Sequence, residues 1–65
     1  MKKFNVTVHF RFVQNGEQEK DFDVLEIEAT NLLDAFLCAK EQFKTKKYIP
    51  FQMECNGVII NPNTY

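Results

Sequence analysis

Phe4-Asn5-Val6-Thr7-Val8-His9-Phe10-Arg11-Phe12 alternates large apolar side chains with polar ones along its whole length. A strand sends successive side chains to opposite faces. This stretch therefore has an apolar face (Phe4, Val6, Val8, Phe10, Phe12) and a polar face (Asn5, Thr7, His9, Arg11). It reads as the central strand of one antiparallel sheet, the platform on which the remaining chain packs.

Asn15-Gly16 follows, a pair that tolerates the positive φ of a tight hairpin turn. A return strand is expected from about Glu19 to Ala29, but its parity slips. Phe22 and Val24 fall on one side, Leu25, Ile27 and Ala29 on the other. A three-residue loop with a bulge near Val24-Leu25 would bring both groups to the core, with Phe22 facing Phe10 and Ile27 facing Val6. Without the bulge, Phe22 stays partly exposed.

Asn31 is suited to cap a helix, and Asp34 stands three residues on, where an acid favours the helix dipole. The helix is expected over about Leu32 to Lys46, with Leu32, Ala35, Phe36, Ala39 and Phe43 within about 100° of arc as its core stripe. Pro50 forbids continuation. Phe51-Gln52-Met53-Glu54-Cys55 alternates again, with Phe51, Met53 and Cys55 expected inward. Asn56-Gly57 signals a second hairpin, and Val58-Ile59-Ile60 is its short returning arm.

The fold class is thus α+β, a single antiparallel sheet on one helix with element order ββαβ(β). Two strand orders fit. In 2-1-3 the third strand lies beside the first, and the final arm sits at the edge. In 2-1-4-3 the last strand runs parallel to the first, a layout similar to the β-grasp arrangement of ubiquitin-like and immunoglobulin-binding domains. Val58-Ile59-Ile60 is apolar on both parities, as a central strand is, but its three residues favour the edge and the order 2-1-3.

Sixty-five residues make room for one compact domain, residues 1–65, with a tail expected to fray from about 61. So short a chain buries only about 60% of its unfolded surface. Seven Phe and two Tyr compensate with large rings. The two cysteines, Cys38 and Cys55, make no disulfide framework, and neither a secretory leader nor a membrane-spanning run is legible. A reducing, cytoplasmic setting is the expectation.

Little here reads as chemistry. His9 is the only histidine, and the cysteines stand 17 positions apart, so no nucleophile–base pair or four-ligand zinc set is apparent. No cofactor or metal is expected, and the chain reads as non-enzymatic. An RNA platform would show rings on the open sheet face. There the first strand offers Asn5, Thr7, His9 and Arg11, and Glu54 adds a carboxylate that repels phosphate.

Two surfaces remain as candidates. Lys40, Lys44, Lys46 and Lys47, with Tyr48 beside them, form a basic helix end that could meet nucleic acid. Leu33 and Leu37 widen the helix's apolar arc to about 200°, more than one sheet covers. Tyr48-Ile49-Pro50 or the sheet edge is expected to fold over them; left open, they would dock a partner protein or a second subunit. The leading functional expectation is a small binding or regulatory protein acting through protein–protein contacts. By size alone it could be an accessory or inhibitory protein of a phage or mobile element. The alternatives are a nucleic-acid-binding module using the basic end, and a homodimeric domain.

Overall fold

The computed structural model describes residues 1–43 and 47–64. Strand β1 (Lys2–Gln14), β2 (Glu17–Ala29), helix α1 (Leu32–Gln42), β3 (Ile49–Cys55) and β4 (Val58–Ile60) follow in that order, closed by a 3-10 turn at Pro62–Thr64. The sheet order is β2-β1-β3-β4 with every neighbouring pair antiparallel, so the 2-1-3 layout with β4 at the edge is the one observed. The β-grasp-like order is excluded.

Both hairpins turn on two residues. Asn15 and Gly16 have φ of 55° and 78°, and Asn56 and Gly57 have 52° and 78°. Two consecutive positive φ values match the right-handed twist of the flanking strands. The β1–β2 ladder then runs without a break from Gln14↔Glu17 to Lys2↔Ala29. The expected three-residue loop and the bulge at Val24-Leu25 are therefore absent. Phe22 lies opposite His9, Leu25 opposite Val6 and Ile27 opposite Phe4. Phe22 and Val24 face away from the core, 60% and 51% exposed.

Lengths explain why the chain tolerates this. A 13-residue strand spans about 44 Å, whereas the 11-residue helix is only about 16 Å long. The helix starts at Leu32, with only two residues between it and the end of β2, so it covers the Ala29–Ile27–Leu25 end of β2 and leaves the turn end bare. Asp21 and Asp23 occupy core-side positions there and remain exposed. Beyond the helix, Phe10 is covered by rings instead: Phe43 at 5.1 Å and Tyr48 edge-on at 5.1 Å, with Tyr48 also 5.5 Å from Phe12.

Val6, Val8, Ile27, Ala29, Ala35, Phe36, Ala39, Met53 and Cys55 form the buried core. The alanines let the helix approach closely while Phe36 fills the space between layers. Asn31 caps α1 as its position suggests, its Oδ1 accepting from Asp34 N at 2.9 Å; Thr30 Oγ1 donates to Asp34 Oδ2 at 2.7 Å. Replacing Asn31 by alanine should lower stability by about 1 kcal/mol, read as a lower urea midpoint at unchanged slope. The helix ends at Gln42 with Phe43 as its cap; the expected continuation to Lys46 falls outside the described residues. After β4, Pro62 is buried and Asn63 N donates to Asn61 Oδ1 at 2.9 Å.

β3 supplies a bulge that β2 lacks. His9 pairs with Gln52 but Phe10 pairs with Pro50, so Phe51 is the extra residue. A bulge resets side-chain direction. Phe51, expected inward, instead lies against His9 (ring centroids 6.3 Å) and beneath the Lys20 ammonium (5.7 Å) on the open face.

Candidate binding surfaces

The apolar helix flank stays open. Leu33 and Leu37 are 49% and 40% exposed, because Tyr48 packs on Phe10 and Phe12 at the other end of the molecule and does not return over them. Leu33 joins Leu32, Phe36, Val58 and Ile60 around an apolar groove between the helix and β4. Ile59, on the opposite face of β4, is exposed as well.

Of the basic end, only Lys40 and Lys47 are among the described lysines. Lys44 and Lys46 lie outside the described residues. Lys40 is half-buried, and Lys47 is exposed with its Nζ 5.4 Å from the Tyr48 ring. Tyr48 sits beside Lys47 as expected and is at the same time a half-buried part of the aromatic cluster.

The two sheet edges differ in chemistry. Six carboxylates line β2 from Glu17 to Glu28. In a ladder opened by a two-residue turn, the odd-numbered β2 residues bond to β1 and the even-numbered ones turn N–H outward. Two of these outward donors are occupied by their neighbours' side chains: Phe22 N donates to Asp21 Oδ1 and Val24 N to Asp23 Oδ1, both at 2.8 Å. Charge and self-capping blunt this edge. β4 has neither device; Val58-Ile59-Ile60 carries no charge.

The third surface is the open face of the sheet. Phe22, His9 and Phe51 form a row across β2, β1 and β3, with centroid separations of 5.8 and 6.3 Å. Two residues toward the hairpin turn lies a second row, Lys20 opposite Arg11. Toward the other end lie Val24, Thr7 and Glu54, then Glu26, which pairs with Lys3 at 3.5 Å. Neither phenylalanine of this face stands out as a site residue from alternation alone. Signals for them exist: Phe22 and Val24 share a parity opposite to that of Leu25, Ile27 and Ala29, and Pro50 inside a strand points to a neighbouring irregularity.

Among the described residues no three histidine, cysteine or acidic groups gather as a metal site, and none of the helices is long and apolar enough to cross a membrane. The His9 ring meets Phe22 and Phe51. Cys55 is buried, and that burial pushes its thiol pKa up, whereas Cys38 is exposed on α1. Cys38 should therefore be alkylated in the native protein and Cys55 only as the chain opens. The raised thiol also sets a sign: its contribution to stability is complete below the unfolded thiol value and is lost as pH rises toward the folded one.

No known protein family, curated protein or solved structure matches this chain.

Proposed function

We propose that the chain is a non-enzymatic protein-binding domain that works by strand addition at β4, with a second copy of itself as the partner. The observation that carries this is the contrast between edges: β2 is blunted by carboxylates, while β4 is an uncharged edge with exposed Val58 beside exposed Leu33, and Leu37 lies one turn further along the helix. Next to the two-residue turn Cys55↔Val58 is a hydrogen-bonded pair and Glu54↔Ile59 a non-hydrogen-bonded one, so Ile59 turns its N–H and C=O outward. Two β4 edges meeting antiparallel about Ile59 would exchange both bonds and set Val58 opposite the partner's Ile60. The leucine flanks would then lie on the same side of the joined sheet. Such a two-fold contact is self-complementary, as an isologous interface requires. Size alone supports the narrower role of an accessory or inhibitory protein such as phages and mobile elements carry.

Light scattering across a concentration series tests this. Wild type should approach twice the 7.7 kDa chain mass, while Leu37→Glu and Ile59→Lys remain at the single-chain mass with unchanged circular dichroism. A wild type that is monomeric throughout, or variants that dimerise as well as it does, would refute the β4 interface.

A further inference from the structure

We propose that the open face of the sheet is a binding site for single-stranded nucleic acid, with bases stacking on Phe22, His9 and Phe51 and phosphates held by Lys20 and Arg11. This surface lies on the opposite side of the sheet from the helix and the apolar groove, and pairing at β4 leaves it uncovered.

Three observations converge. The rings form a continuous row over three neighbouring strands, and Phe22 is 60% exposed. Successive bases can each use an aromatic face, because every base has a π-surface whatever its sequence. The bulge at Phe51 is what completes the row; a regular β3 would send that ring to the core side. Bulges of this kind re-aim a side chain at a cost in ladder pairing.

The charges fit the same ligand. Arg11 and Lys20 are direct cross-strand partners on one face, two cations where the sheet prefers opposite charges. Among the described residues neither forms an ion pair with a carboxylate; Lys20 rests on the Phe51 ring. A phosphate between them would relieve their repulsion. A base arriving on Phe51 would displace the Lys20 ammonium, which then swings to the backbone it accompanies.

The acids define the path. Glu54 and Glu26 lie on the other side of the ring row, so the phosphates run across the strands above Lys20 and Arg11 with the bases leaning over the rings. Half-buried Gln52, next to Phe51, and Thr7 stand within the same surface and offer polar groups to base edges. A duplex hides its base faces and cannot use the row.

The test is fluorescence anisotropy with fluorescein-labelled single strands of about ten nucleotides, as RNA and as DNA, against the matching duplex. The single strands should bind and the duplex should bind more weakly; the RNA and DNA arms report whether the 2′-hydroxyl contributes. Two phosphate contacts predict a slope of about −1.4 for log K against log salt, and Arg11→Ala should reduce it by about 0.7. Phe22→Ala should weaken binding about tenfold, the effect of losing one stacking ring, and leave the slope unchanged. Phe22 is exposed, so that variant should melt as wild type does. Overturning results are no single-strand binding at low salt, equal binding of the duplex, or affinity indifferent to Phe22→Ala. Loss of affinity on Lys40→Ala in place of Arg11→Ala would move the site to the helix end and equally end the proposal. The β4 variants Leu37→Glu and Ile59→Lys should leave single-strand binding intact, so the two surfaces stand or fall separately.

Discussion

Replacing Phe36 by alanine should cost about 3–5 kcal/mol, the range for deleting a buried aromatic ring. Phe36 is 3% exposed and is the largest side chain that α1 commits to the core. At roughly 0.05–0.15 kcal/mol per residue, a domain of this length holds about 3–10 kcal/mol in total. The variant should therefore lose about a third or more of the total. Alanine leaves the helix propensity intact, so the loss reports packing rather than a broken helix. Chemical denaturation reads it directly; a loss below about 1 kcal/mol would mean that the helix is not seated on β1.

The second large effect is a contrast. Phe10→Ala should destabilise by about 3–5 kcal/mol, while Phe22→Ala should change stability by no more than about 0.5 kcal/mol. The bulged alternative would have set these two rings face to face in one core. In the unbroken ladder they lie on opposite sides of the sheet, Phe10 8% exposed among Phe12, Phe43 and Tyr48, Phe22 60% exposed beside His9. Comparable losses from both variants would restore the bulge and remove the open aromatic row.

Much of the architecture is legible in the chain because local chemistry and tertiary demand agree. The alternation of β1, the Asn-Gly pairs, the Asn31 cap and the helix stripe each act within a few residues, and each stands where the sequence indicates. What is not legible depends on length and register. Whether Phe22 belongs to the core is decided by register: the unbroken ladder sets it on the open face, and the eleven-residue helix leaves the turn end of β2, where Asp21 and Asp23 take the core-side positions, with no core to fill. Alternation alone sends Phe51 inward; only the switch from His9↔Gln52 to Phe10↔Pro50 turns it out. Phe10 directs its N–H toward β2, so Pro50 can face it without owing a bond.

The candidate surfaces divide in the same way. Leu33 and Leu37 are readable as surplus apolar area, since their angular position on a helix follows from spacing alone. Tyr48 does not cover them because it finds the Phe10–Phe12 surface that the short helix leaves bare. The open-face rings are hidden from the sequence because only β1 has an unambiguous parity; those of β2 and β3 depend on which of the two strands carries a bulge, and it is β3. From β1 and Glu54 alone the face reads as polar and partly acidic, a poor surface for nucleic acid. With the register in place it carries three rings and two adjacent cations.

The ladder joining β1 to β2 decides which residues share that face. Hα–Hα cross-peaks in a nuclear Overhauser spectrum test it most directly, since in antiparallel sheets they arise at non-hydrogen-bonded pairs. An uninterrupted series is predicted: Arg11–Lys20, His9–Phe22, Thr7–Val24 and Asn5–Glu26. A one-residue break in that series near Val24, with Phe22 resonances coupled to Phe10 and the helix, would contradict the account.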